Sequence, residues 1–195
     1  MENALTAPAH AVPAKSAEGI AAADFETLVR QHQRRIFRVL FLMVRDHDAA
    51  DTLTQETFLR AYEQRAQFRG ECPTETWLLK IAVNLARDWA RNRRAGFWRR
   101  LIGWDHSQET QAAANNARDR TPSPEQTLIA REGVQTVWAA VDDLSGRQKA
   151  IFILYFAEEM ALQEVAEVLG IETGTVKVHL FRALTAVRKK LGMQL

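Results

Sequence analysis

Gly170 lies between two short apolar patterns of helical period, and this limits what the C-terminal third of the chain can become. Ahead of it, Val165, Ala166, Val168 and Leu169 recur at the spacing of one helix face. Behind it, Val176, Leu180 and Leu184 do the same. Glycine takes a left-handed conformation after a helix end without steric cost, so the pattern predicts a helix, a tight turn and a second helix. Thr173 is placed to cap that second helix, which carries Lys177, His179 and Arg182. Two short helices joined in this way, over about 161–182, form a helix-turn-helix, whose second member enters the DNA major groove. An ordinary αα-hairpin in a helical bundle shares the same periodicity.

A chain of 195 residues can hold one domain or two small ones. Apolar residues make up 47%, enough for a packed core, yet no apolar run approaches the ~20 residues that span a bilayer. Met1 to Ala23 is rich in Ala and Pro without a continuous apolar segment, which predicts a flexible tail rather than a secretory signal. Cys72 is the one cysteine, so an internal disulfide is excluded, and no Cys/His cluster has zinc spacing. These features predict a cytoplasmic protein with no membrane insertion. A net charge of +2 does not announce nucleic acid, but the distribution of charge is more telling. Arg91, Arg93, Arg94, Arg99 and Arg100 share a span without an acid, and Lys177, Arg182, Arg188, Lys189 and Lys190 are opposed by Glu172 alone. Such clusters can meet phosphates locally; cations favoured at helix C-termini by the dipole explain part of both.

The apolar pattern is helical almost throughout, and no segment reads as a strand. Asp24 can cap a first helix with Phe25, Leu28, Val29, Ile36, Val39, Leu40 and Met43 on one face. Asp48 can cap a second helix reaching about Gln64, with Leu53, Phe58, Leu59 and Tyr62 as its buried side. Phe68 to Pro73 contains Gly70 and reads as a loop. A third helix follows from Thr74 to about Arg94, with Trp77, Leu78, Ile81, Ala82, Leu85 and Trp89 at amphipathic spacing; core packing is the favoured role of both tryptophans. From Ala95 to Glu125 the pattern dissolves into a polar stretch ending in Thr121, Pro122, Ser123 and Pro124, which no helix crosses comfortably. Phe97, Trp98, Leu101, Ile102 and Trp104 at its start either extend the third helix or dock elsewhere. A helix is expected from Gln126 to Val141, and Ser145 with Gln148 fits a capping box opening another. The expectation is all-α: two small helical domains, 24–95 and 126–195, with a tail at 1–23 and a flexible linker at 96–125.

No phosphate-binding glycine loop or metal-binding helix motif is present. The histidines are scattered, and helix capping accounts for Asp46, Asp48 and Asp51 without a metal. The chain is therefore not expected to be an enzyme or to hold a cofactor. Two blocks then carry a resemblance. Asp51 to Tyr62, Phe68-Arg69-Gly70 and Trp77 to Asn84 resemble conserved region 2 of bacterial sigma factors. Leu144 to Leu191, including Gly174 to Lys177 and Phe181 to Ala183, resembles their region 4. With these two regions alone, the chain resembles the extracytoplasmic-function group of the sigma-70 family.

The resemblance implies a promoter-specificity subunit that binds core RNA polymerase, recognises two promoter elements and assists melting of the downstream one. Asp51, Leu53, Gln55, Glu56 and Phe58 match the family's grip on the clamp helices of the largest polymerase subunit. Thr52-Leu53 stands where relatives usually carry Asp-Leu. Phe68, Arg69 and Gly70, in the loop that forms a base pocket in the family, together with Asn84 and Asp88, match positions facing the −10 element. Asp88 departs from the polar or basic residue usual there. Thr173, Thr175, Lys177, Val178, His179 and Arg182 match the face toward the −35 element; Val178-His179 replaces the family's Ser-Arg and removes a permanent cation. The family also implies an anti-sigma partner and no small-molecule substrate. The alternative reading is a helix-turn-helix regulator with an N-terminal sensing or dimerisation bundle; a helical adaptor with basic patches is a third.

Overall fold

The computed structural model describes residues 19–101 and 134–192, and over 94–101 only the helix backbone. The first helix, α1 (Ala22–Val44), buries Phe25, Leu28, Ile36, Val39, Leu40 and Met43, as the spacing predicts. Its N-cap is Ala21, which offers no side-chain oxygen; Asp24 lies in the first turn, where its charge still favours the helix dipole. Residues 1–18 of the expected flexible tail lie outside the described residues; just before the helix, the Ile20 amide donates to the Arg65 carbonyl at 3.0 Å. A Cβ at Gly19 would lie 2.4 Å from that same carbonyl oxygen, so this close approach requires glycine. α1 ends at Arg45, held left-handed at φ 57° with its amide donating to the Phe41 carbonyl.

The second helix, α2 (His47–Gln64), is capped by Asp46 rather than Asp48: the Asp46 carboxylate accepts from the Ala49 amide at 3.0 Å. Its buried face differs from the expectation. Leu53, Thr54, Thr57, Phe58 and Ala61 point inward, whereas Leu59 and Tyr62 are exposed. Threonine is tolerated inside because each hydroxyl donates to a carbonyl four residues back, Thr54 to Ala50 and Thr57 to Leu53, both at 2.7 Å. After a 3₁₀ turn (Arg65–Gln67) and the loop 68–73, α3 (Thr74–Leu101) runs beyond the expected end and absorbs 97–101. Leu78, Leu79, Ala82, Val83, Leu85 and Ala86 are its buried positions, and α1, α2 and α3 pack mutually.

The C-terminal cluster begins within helix α4 (134–142). Most of the linker 96–125 and the first residues expected in this helix lie outside the described residues. Ser145 and Gln148 form the expected capping box at the start of α5 (Gly146–Phe152). The chain then widens into a π turn (Ile153–Ala157), closed by the Glu158 amide donating to the Ile153 carbonyl. The helix-turn-helix follows as α6 (Leu162–Leu169), Gly170 at φ 63°, and α7 (Thr173–Lys190). Thr173 is the first residue of α7 rather than its cap; Glu172 holds the cap position without a side-chain hydrogen bond.

The two clusters are not simply strung on a tether. One hydrophobic core runs from Ile36, Leu40, Leu78 and Val83 through Ile151, Ile153 and Leu154 to Val165 and Val176. A smaller core, with Val141, Leu144, Phe152, Ala183 and Val187, closes the C-terminal side. Among the described residues no helix is long and apolar enough to cross a membrane. Glu159 is left-handed at φ 54° without being glycine. Such a conformation costs an L-residue roughly 1–2 kcal/mol, partly offset by the extra unfolded-state freedom of glycine. Glu159→Gly is therefore expected to raise the melting temperature by a few degrees, measured by circular dichroism.

Candidate nucleic-acid interface

Burial divides α7 into two faces. Val176, Leu180, Ala183 and Val187 are buried, which leaves Lys177, Val178, Phe181 and Arg182 exposed together on the outer face. Val178 is 50% and Phe181 68% exposed, unusual for large apolar side chains unless something is to cover them. Thr173 and Thr175 are half-buried near the helix start. His179 is half-buried, and its Nδ1 is enclosed without a hydrogen-bond partner. Burial, then the nearby Arg147 and Arg182 guanidiniums, push its pKa below the usual histidine value. This favours the uncharged ring, and the permanent cations of this face are Lys177 and Arg182. Phe181 joins this face although the family resemblance assigns it no DNA contact; its position off the Val176–Leu180–Leu184 stripe is the available signal.

The N-terminal bundle carries two further candidate faces. On α2, Asp51 and Gln55 are exposed and joined by a 2.9 Å hydrogen bond, and Glu56 pairs with Arg60 at 2.6 Å. Leu53 and Phe58 are buried and do not join them. Leu59, 55% exposed and one turn beyond Gln55, adds the apolar element that a contact surface needs. The structure keeps the second face near the 68–73 loop. The Phe68 ring lies on Trp77 with centroids 4.7 Å apart, Arg69 is exposed, and Gly70 takes φ 65°, which this sharp loop requires. Asn84 and Asp88 are exposed one turn apart on α3. The Asp88 carboxylate accepts from Arg91 at 2.9 Å, so its charge is locally matched. Cys72 is half-buried, and burial pushes its thiol pKa up, away from reactive thiolate character.

Glu75, at the start of α3, pairs with Arg35 at 2.5 Å and has His32 3.7 Å away. His32 and Arg35 hold its carboxyl well down, at about 2 against an ordinary 4.5. A carboxyl whose folded pKa is lowered stabilises the fold above its unfolded pKa and loses that contribution as pH falls toward the folded value. Wild type is therefore expected to lose on the order of 1–2 kcal/mol between pH 4.5 and 2, the pair being partly in contact with solvent. Glu75→Gln should flatten that part of a stability–pH curve obtained by denaturant titration.

Comparison with known proteins decides between the readings of this geometry. Residues 28–96 match the model of sigma-70 region 2, and residues 135–187 match that of sigma-70 region 4. The chain belongs to the sigma-70 family. It is an RNA polymerase sigma factor of the extracytoplasmic-function (ECF) subfamily, and sigma factors are not catalytic enzymes. The sigma factor is 29% identical over 172 residues to the ECF sigma factor SigX of Bacillus subtilis, covering 87% of this chain and 84% of that protein. It is also 29% identical to the sigma-H factor of Pseudomonas aeruginosa, covering 86% of each chain. Among solved structures, sigma factor RpoE from Bartonella quintana, solved with the anti-sigma factor NepR, has a TM-score of 0.65 at 19% identity, covering 89% of this chain and 100% of that one. CnrH, solved with the cytosolic domain of CnrY, has a TM-score of 0.62 at 20% identity, over 90% and 92% of the two chains. At those identities the structural matches establish the fold. The match of residues 28–96 to sigma-70 region 2 replaces the reading of the N-terminal bundle as a sensing or dimerisation domain.

Proposed function

We propose that this sigma factor docks on the clamp helices of the largest polymerase subunit through the outer face of α2. It then reads the −35 element with α7 and holds the −10 element with the 68–73 loop and α3. The observation that carries the reading is the pairing of regions 2 and 4 in one chain, with α7 exposing two cations and two apolar side chains together. Lys177 and Arg182 supply phosphate and base-edge contacts, while Val178 and Phe181 suit thymine methyl groups. Thr173 and Thr175 bring hydroxyls to the N-terminal end of α7, the end that meets base edges in this motif, and His179 backs the face as a neutral ring. At the −10 element, Phe68 on Trp77 offers an aromatic platform beside the exposed Arg69. The Asn84 amide can both donate to and accept from a base edge. Asp88 can accept from a cytosine amino group.

The core-binding surface is Asp51, Gln55, Glu56 and Leu59, with Leu53 and Phe58 supporting it from within. The place of action is the cytoplasm, where polymerase and chromosome meet. An anti-sigma protein is a further expected partner, since the similar Bartonella quintana sigma factor was solved in complex with the anti-sigma factor NepR. Glu56→Lys, at a half-exposed position, is expected to weaken core binding at least several-fold in a fluorescence-anisotropy titration while leaving the melting curve in place. Unchanged affinity would remove α2 from the interface. His179→Arg restores a cation next to Val178 and is expected to steepen the salt dependence of −35 duplex binding by about one phosphate contact. Parallel salt plots for the two proteins would place His179 off the DNA.

A further inference from the structure

The backbone just ahead of α1 presses on the corner that carries the 68–73 loop. The Ile20 amide donates to the Arg65 carbonyl at 3.0 Å, and the Phe68 amide donates to that same oxygen at 3.3 Å. A carbonyl has two lone pairs, so one oxygen serves both donors. Gly19 comes so close that a Cβ on it would lie 2.7 Å from both the Cα and the carbonyl oxygen of Ala66. Those atoms are backbone and have no rotamer through which to yield. Ile20 is half-buried and packs on the bundle core. Residues 19 and 20 therefore form a strap laid across the 3₁₀ turn (Arg65–Gln67).

That turn needs support. Short 3₁₀ turns have poor hydrogen-bond geometry, and this one closes on the longer of the two bonds to Arg65. Segments held by few buried contacts open locally at little cost. A second tie reaches the same residue from α1. The Phe25 ring meets Tyr62 edge-on with centroids 5.1 Å apart. The Arg65 guanidinium lies 3.8 Å from the Tyr62 ring centroid and donates to the Tyr62 carbonyl at 2.6 Å. Arg65 is thus fixed through its side chain by Tyr62 and through its carbonyl by the strap.

What this corner delivers is Phe68, whose ring lies on Trp77 at 4.7 Å with 30° between the planes. Trp77 is already fixed, because it belongs to the first turn of α3 and its amide donates to the Pro73 carbonyl at 3.1 Å. The Phe68 side has no helix of its own and depends on the Arg65 carbonyl. We propose that Gly19 and Ile20 are positioning residues of the −10 site, acting through that carbonyl to hold Phe68 over Trp77. The inference rests on the reading of these two rings as a −10 platform. A base stacks more tightly on a platform assembled before it arrives, since no ordering cost is then paid on binding. The strap itself touches no nucleotide.

The test uses the full chain with three changes in the strap. Gly19→Ala drives it off by a backbone clash, Ile20→Pro deletes the donating amide, and Ile20→Ala keeps the amide while trimming the packing. Val39→Ala, at a fully buried core position outside the strap, serves as the stability control. Each is studied below its melting transition. One readout is the Trp77 indole N–H resonance. The other is holoenzyme affinity for a pre-melted promoter carrying cognate or substituted −10 bases. Gly19→Ala and Ile20→Pro are expected to move the Trp77 resonance toward its position in Phe68→Ala. They should also weaken binding of the cognate promoter about 5-fold or more, the worth of one stacked base, and narrow the preference over substituted bases. Ile20→Ala and Val39→Ala are expected to keep the preference, and −35 duplex binding stays unchanged in all four. An unmoved Trp77 resonance in folded Gly19→Ala and Ile20→Pro overturns the strap's role. So does an equal loss of preference in Val39→Ala, which would make the effect one of stability alone. Unchanged promoter binding by Phe68→Ala overturns the −10 reading instead, while the Trp77 resonance still judges the strap.

Discussion

Leu53→Asp is expected to unfold region 2 outright. Leu53 is 8% exposed and belongs to the core shared with Phe25, Leu28 and Leu78. Removing a buried leucine side chain typically costs about 2–5 kcal/mol, and a carboxylate left there without a partner adds to that. A domain of this size has only about 5–15 kcal/mol in total. Because the same core continues into Ile151 and Val165, the damage reaches region 4 as well. Circular dichroism melts should show loss of the cooperative transition or a fall of well over ten degrees; at roughly 4 °C or less per kcal/mol, a smaller fall would mean α2 is turned otherwise. Any loss of polymerase binding by this variant reports folding, so the grip must be tested at Gln55, Glu56 and Leu59.

Arg182→Ala is the counterpart on the DNA side. Arg182 is exposed beside Phe181, so its loss leaves the fold intact and removes one cation and up to two hydrogen bonds to a base edge. Binding of a −35 duplex is expected to weaken by about 1–3 kcal/mol, roughly 5- to 150-fold, with relaxed preference at one base position. A phosphate contact alone would weaken all sequences equally and lower the salt slope by about one. Competition titrations with point-substituted duplexes distinguish these outcomes, and unchanged binding to every duplex would take Arg182 off the recognition surface.

The helix-turn-helix was legible because Gly170 and the stripe Val176–Leu180–Leu184 leave few alternatives, and the Ser145–Gln148 box because a capping box is local. Asp46, Asp48 and Asp51 were harder. Any of three nearby acids can cap α2, and the choice depends on where Ala50 and Leu53 meet the core. Leu59 and Tyr62 were misassigned for a related reason. Thr54 and Thr57 occupy the inward positions by returning their hydroxyls to the backbone, which pattern reading counts as polar. Among the site residues, spacing places Leu53 and Phe58 on the buried side of α2, where they lie; it is the family resemblance that groups them with Gln55 and Glu56 in one grip. Glu158 was invisible: its partners Arg35 and Arg38 are more than a hundred residues away, and only the π turn aims it at them. The packing of the two regions against each other was hidden in the same way, since both faces read as ordinary core positions.

The most direct test is reconstituted transcription, with the purified 195-residue chain added to core RNA polymerase on a randomised promoter library and the start sites mapped. Starts are expected that appear only with the chain, each preceded by two short sequence elements at a fixed spacing, with Arg182→Ala altering preference at the upstream one alone. A folded chain that binds DNA but directs no specific start, or one whose starts follow the downstream element with no upstream requirement, would contradict the proposed function.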